Sequence, residues 1–259
     1  MNVSFIGSGN VAWHLAPALD NVGYVVKEIY SPTSRHAEAL TERLYQAEAK
    51  SSLDFSDSPS SVFIVAVSDD AIQEIAQEIV LPDDAYLLHT SGSQPLSILQ
   101  YAATANTGVF YPLQTFTKGK KVDFKETPLF LEASNEQTEK AMMTLARAIS
   151  NHVRIITSEQ RKALHVAAVF ASNFTNHMLT LAQRVMVFNN LDFDLLKPLI
   201  IETITKSLAL GPVPSQTGPA RRGDLEILDK HMHFLQQDQD LSEIYKLISQ
   251  SIIDQHQPE

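Results

Sequence analysis

The sequence predicts an α/β protein: a doubly wound, mostly parallel Rossmann sheet followed by an all-α C-terminal domain. Three observations lead there. Short apolar runs alternate with amphipathic stretches through the first 156 residues, and strand–helix alternation of this kind builds a parallel sheet with helices on both faces. A glycine turn stands directly after the first apolar run. Beyond residue 156 the strand signals stop and only helical periodicity remains, so we expect a sheet domain over 1–156 and a helical domain over 157–259.

Taken in order, strands are expected at 3–6, 24–30, 62–67, 85–89, 108–110, 129–131 and 153–156, each a short run rich in apolar, β-branched or aromatic residues. Amphipathic stretches such as 69–79 and 137–149 read as the intervening helices, and the Ser/Asp-rich segment 51–61 as a surface loop. Pro17 removes one backbone bond inside the first helix and is expected to kink it. Thr157 followed by Gln160 forms a capping box that opens one continuous helix to about residue 188. An Asn189–Asn190 turn and the Pro/Gly-rich stretch 211–223 then separate helices expected at 194–210, 224–236 and 241–255.

Bulk properties exclude several classes. With 44% apolar and 19% charged residues in 259, the composition is that of a folded globular chain. A net charge of -10 disfavours nucleic acid, which needs clustered Lys and Arg against phosphate. No apolar run approaches the ~20 residues of a membrane helix, and the chain opens on a strand rather than a signal peptide. With no cysteine, there are neither disulfides nor thiolate sites, which fits a cytoplasmic location. His231 and His233 are two apart and no HExxH set occurs, so no metal is expected.

The turn itself reads FIGSGNVA, the G-x-G-x-x-A pattern of Gly7, Gly9 and Ala12. Gly7 permits the tight turn, Gly9 lets backbone approach a pyrophosphate, and Ala12 lets the helix pack closely on the strand. Ser8, Asn10 and Val11 complete the turn, and Val67 and Ser68 end a neighbouring strand beside it. The other reading is a glycine turn that serves packing alone. At the end of the second strand no acid occupies the place that would hold a ribose 2′-hydroxyl. Ser31, Thr33, Ser34 and Arg35 stand there instead and suit a 2′-phosphate, so the cofactor expected is NADP(H). Two alternatives stay open: Arg35 as a solvated helix residue, and Glu28 as the ribose acid if the register shifts by three.

Candidate chemistry lies on the long helix and two loops. At 100° per residue Ser172, His165, Asn176, Thr180 and Asn173 share one arc of an otherwise apolar helix. His165 suits a proton donor, and Asn173 or Asn176 suits a group that orients a carbonyl; an interhelical network at a dimer interface is the competing reading. His89, Ser91 and Gly92 follow a strand at its C-terminal end, where α/β sheets bind ligands, although the loop also fits a capping turn before Pro95. Arg221 or Arg222 suits a substrate carboxylate or phosphate, and Asp224 equally suits a helix cap. Tyr111–Pro112–Leu113–Gln114 either closes over the cofactor or forms a packed turn.

The motifs GSGNVA at 7–12, HTSGS at 89–93, FYPLQTF at 110–116, HVAAVFASNFTNH at 165–177 and TGPARRGD at 217–224 carry a resemblance over essentially the whole length. The chain resembles the bacterial Rossmann-like proteins with an uncharacterised helical C-terminal domain. These are similar in turn to pyrroline-5-carboxylate reductase, the deazaflavin-dependent NADP reductases and the β-hydroxyacid dehydrogenases. The resemblance implies an NADP-binding domain, a helical dimerisation domain and a cleft between them. Tyr111 stands where the pattern has a histidine before the proline. His165 or Asn173 takes the face on which the hydroxyacid enzymes carry a catalytic lysine, with Lys162 one turn earlier. The expectation is therefore an NADP(H)-dependent oxidoreductase acting on a small carbonyl, imine or hydroxyacid in an interdomain cleft, dimeric through its C-terminal helices. The alternative is a non-catalytic dinucleotide-sensing regulatory module.

Overall fold

The computed structural model describes residues 1–256. The chain runs β1 (Asn2–Ile6), α1 (Asn10–Asp20), β2 (Val25–Tyr30), α2 (Ser34–Thr41), β3 (Glu48–Lys50), β4 (Val62–Val65), α3 (Ile72–Glu78), β5 (Tyr86–His89), β6 (Thr107–Pro112), β7 (Leu129–Ala133), α4 (Glu136–Ile149) and β8 (Val153–Ile155). The strands form one sheet in the order β3-β2-β1-β4-β5-β6-β7-β8. Neighbours from β3 to β6 are parallel, whereas β7 runs antiparallel to β6 and parallel to β8. That reversal follows from residues 113–128, which contain no helix: without a crossover helix the chain returns antiparallel.

The expected doubly wound, mostly parallel sheet is present, with one strand more than the apolar runs indicated. Glu48, Ala49 and Lys50 of β3 have no apolar signature because the strand lies at the sheet edge, where charge is tolerated and guards against further pairing. One face of the sheet packs Val3, Phe5, Leu15, Leu19, Leu145 and Ile149 into a core; the other packs Ile6, Phe63, Val65, Ile72, Leu87 and Leu99. Ser4, fully buried between Val3 and Phe5 on β1, is satisfied by Glu28 and Ser60. α1 runs unbroken through Pro17. The Trp13 carbonyl, to which residue 17 has no N–H to give, accepts instead from the Arg43 guanidinium, which stacks 4.3 Å from the Trp13 ring centroid.

The helix that opens at the Thr157 capping box is not uniform. α5 (Ser158–Ala168) gives way to a π-helical segment, Val169–Phe174, before α6 (Thr175–Phe188) resumes. Hydrogen bonds to i+5 turn each residue less than the α-helix does. An arc drawn at 100° per residue therefore does not carry from His165 across to Asn176. α7 (Lys197–Leu210), α8 (Pro212–Ser215), α9 (Pro219–Arg222), α10 (Leu225–Leu235) and α11 (Gln239–His256) follow. Asp224 caps α10 by accepting from the Ile227 amide.

Two compact units result, Met1–Asn173 and a second that begins at Phe174. The division falls inside the π segment rather than at 156, because α5 is tied to the sheet. Buried Arg161 of α5 pairs with Glu132 of β7 and donates to the Gln94 carbonyl at 2.5 Å. Among the described residues no helix is long and apolar enough to cross a membrane.

Candidate active site

The first candidate region is a groove of about 500 Å³ at the C-terminal ends of β1, β2 and β4. Gly7 sits there at φ +107°, donating to the Tyr30 carbonyl at 2.8 Å. A Cβ on it would lie 2.3 Å from the Ala66 carbonyl oxygen, so no side chain fits. Gly9 differs: its φ is an ordinary −71° and an added Cβ would meet protein only at 3.8 Å. The space before Gly9 is thus open to a ligand, and the α1 amides that begin there have no side-chain cap. Buried Ala12 brings α1 against the strand.

Of the sequence-predicted cofactor residues, Gly7, Ser8, Gly9, Asn10, Val11, Ser31, Val67 and Ser68 line this groove together. Ser34 and Arg35 are exposed at the start of α2 and are not among its lining. Pro32, His36 and Lys118 are, and sequence reasoning missed them. His36 was hidden by the pull of Arg35 as a phosphate ligand. Lys118 comes from the long loop after β6, fastened onto α1 by two bonds: Trp13 Nε1 donates to the Lys118 carbonyl at 3.1 Å, and His14 Nε2 meets the Thr117 carbonyl at 3.0 Å. Glu28 is removed as a ribose acid, since it faces Ser4, Ser58 and Lys50 instead.

A second polar cluster follows from β5. Ser91 Oγ accepts from the amides of Ser93 and Gln94 at 3.1 and 3.0 Å, while Ser93 Oγ donates to Asp69. His89 lies fully buried behind this loop and takes the Ser91 amide on Nδ1 at 3.1 Å. Burial first, then the nearby Arg161 guanidinium, push its imidazole down to about 3, so it is neutral near pH 7. With no exposed surface, His89 offers no atom for direct contact with a substrate and stands behind the loop instead. This corrects the expectation of direct contact.

Gly92 packs against the other candidate. A Cβ there would lie 2.6 Å from His165 Nδ1 and 2.7 Å from Tyr111 Cζ. His165, half-buried on α5, has its Nδ1 3.1 Å from the Tyr111 hydroxyl. Burial foremost raises the Tyr111 pKa, with Arg161 opposing and Asp69 adding to the rise. The structure thus joins the groove to this pair: Ser68 lines the groove, the adjacent Asp69 holds Ser93, and Gly92 of the same loop abuts Tyr111 and His165. Asn173 is exposed within the π segment, and Asn176 and Arg222 are exposed in the second unit. Nothing in the sequence pattern marked Tyr111 as His165's partner, because they are far apart in the chain.

Residues 127–252 match a family described as a domain of unknown function, DUF2520. A Bacteroides fragilis crystal structure, of a protein described as a candidate NADP oxidoreductase, is 39% identical over 98% of both chains with a TM-score of 0.90. The chain belongs to this Rossmann-like family. More distant structures share the fold. A reductive aminase from Aspergillus terreus, in complex with NADPH and ethyl-5-oxohexanoate, is 11% identical over 98% of this chain and 94% of its own, TM-score 0.74. Plasmodium falciparum pyrroline carboxylate reductase with NADP bound is 14% identical over 98% of both chains, TM-score 0.62. No curated protein matches the chain.

Proposed function

We propose that the protein is an NADP(H)-dependent oxidoreductase that moves hydride to or from a small carbonyl, imine or hydroxyacid substrate. The observation that carries this reading is the continuity from the glycine groove, through Ser68, Asp69 and the 91–94 loop, to His165. The Gly7 turn and the uncapped α1 amides suit the pyrophosphate, and Ser31, His36 and Lys118 suit the 2′-phosphate end, with Ser34 and Arg35 beside them. The nicotinamide would supply or accept the hydride. His165 gives a proton to the carbonyl oxygen or imine nitrogen, completing addition of hydride and proton across the double bond. Ser91 and Gly92 border the reacting groups, and Asn173 of the same unit is a proposed substrate contact. The π segment between His165 and Asn176 favours this use, since π-bulges in helices recur at functional sites. The resemblance to an NADP oxidoreductase at 39% identity supports the cofactor.

A second copy of the chain is proposed to pack on the C-terminal helices, whose large apolar side chains stand in solvent: Phe188, Leu199, Ile201 and Leu208 are examples.

The test uses Trp13, the single tryptophan, joined through Lys118 to the groove. Saturable quenching by NADPH, tighter than by NADH, and at least tenfold weakened in Gly7→Ala is the expected result. Turnover is then sought on carbonyl and imine panels. NADPH binding without turnover, in a protein whose association state changes with cofactor, would shift the reading to a regulatory module. No binding of either cofactor would overturn it.

A further inference from the structure

The proton-transfer reading leaves one polar group unused, the hydroxyl of Tyr111. This side chain stands on β6 with 8% of its surface exposed, its ring edge-on to that of His165 at 6.1 Å between centroids and 70° between planes. We propose that Tyr111 is a positioning residue: by donating its hydroxyl hydrogen to Nδ1 it holds neutral His165 as the Nε2–H tautomer, so that Nε2 is the nitrogen facing the substrate. Proton delivery uses the imidazolium, in which Nδ1–H donates to the Tyr111 oxygen while Nε2 releases its proton. The inference rests on the reductase reading for its meaning, but not for its test.

Hydrogen-bond bookkeeping gives the direction of the bond. The Tyr111 hydroxyl has one hydrogen to place in a buried site, and the bond recorded for it is to His165 Nδ1 at 3.1 Å. If Nδ1 carried the imidazole hydrogen, two donors would face each other unless the phenol hydrogen turned elsewhere, and a buried donor left unpaired is costly. Burial also keeps the phenol protonated, because it raises the Tyr111 pKa. The charged groups bearing on the phenol are Arg161, which favours the phenolate, and Asp69, which disfavours it. Neither is hydrogen-bonded to Tyr111. Asp69 is engaged by Ser93 and Arg161 by Glu132 and the Gln94 carbonyl.

The pair is also held sterically. Register across β6 and β7 sets Tyr111 opposite Phe130, whose ring centroid lies 6.5 Å away. On the other side Gly92 leaves room for both rings and none for a methyl group: its Cβ would fall 2.6 Å from Nδ1. The φ of Gly92 is not in the left-handed region, so this glycine is required for space alone and its replacement by alanine is a clean perturbation. With Nδ1 occupied and the tautomer set by its partner, the second nitrogen is the one left to meet a ligand, the arrangement by which a histidine is tuned through the bond its other nitrogen makes.

The experiment is a long-range ¹H–¹⁵N correlation spectrum of the full chain labelled at histidine nitrogen, with His165 assigned by the signals lost in His165→Gln. We expect wild-type His165 at mildly alkaline pH, where an imidazole is neutral, to show an unprotonated Nδ1 and a protonated Nε2. In Tyr111→Phe the two nitrogens shift toward averaged values, and Gly92→Ala, which displaces the pair without removing the hydroxyl, moves them the same way. Circular dichroism confirms that each variant is folded. A wild-type spectrum with the proton on Nδ1, or a Tyr111→Phe spectrum unchanged from wild type, overturns the proposal. The spectra need neither cofactor nor turnover, so they stand even if no reductase activity exists. Where activity is found, Tyr111→Phe lowers kcat by about tenfold or more at unchanged KM, and equal kcat in the two proteins would likewise count against the role.

Discussion

The two units of the chain bury their apolar residues to very different degrees. In the first, Val3, Phe5, Ile6, Leu15, Leu19, Ile29, Leu40, Phe63 and Ile64 are wholly inaccessible, on both faces of the sheet. In the second, the buried cluster consists of Ala220, Leu228 and Ile253, while Leu208 keeps 83% and Phe188 72% of its surface in water. The first unit closes its own core. The second has apolar faces left over, and at about 25 cal/mol per Å² such area is a driving force for association. The polar chemistry divides the same way: the groups with strongly perturbed or buried charge, His89 and Arg161, belong to the closed unit.

The sharpest way to break that comparison is at the open faces. Leu199→Glu combined with Leu208→Glu is expected to weaken self-association about 100-fold by sedimentation while leaving the sheet unit folded, since each side chain contributes roughly one tenfold step of apolar burial. A monomeric wild type would end the proposed dimer. In the closed unit the largest effect belongs to Arg161. Arg161→Met strands Glu132 and the Gln94 carbonyl in a buried setting and is expected to cost about 3–5 kcal/mol in denaturant unfolding. A loss under 1 kcal/mol would mean that α5 does not depend on this pair.

His89 supplies a pH-dependent contrast. Its folded pKa of about 3 lies below the unfolded value near 6.5, so between those limits the unfolded chain takes up a proton that the folded chain refuses. Stability is therefore retained above pH 6.5 and falls as pH drops toward 3. From pH 6.5 to 4 wild type should lose roughly 3 kcal/mol more than His89→Asn, at about 1.4 kcal/mol per pH unit. Parallel curves for the two proteins would show that His89 does not carry this dependence. Ser91→Ala is the mildest change, expected to cost about 1 kcal/mol because the Ser93 and Gln94 amides lose their acceptor.

Much of the architecture was legible in the chain. Seven of the eight strands announce themselves as apolar runs, Gly7 and Ala12 mark the turn, and Thr157 with Gln160 marks where the all-helical part starts. These are local signals, written in consecutive residues, and local rules read them. The strand β3 escapes because an edge strand needs no apolar run. The candidate site was legible only in part: Gly7, Gly9, Ser31 and Ser68 line one groove together, whereas His36 and Lys118, not Arg35, complete its lining.

What the sequence determined by itself is the order of strands and helices along the chain and the glycine turn after the first strand, since periodicity and steric need act over a few residues. Tertiary structure alone decided that His89 is buried, that Tyr111 meets His165 across Gly92, and that Arg161 draws α5 into the sheet unit. It also decided where the helix slips into π geometry and breaks the polar stripe. Each of these depends on partners dozens of residues apart, and no periodicity or spacing along one chain encodes which distant groups will share a buried space.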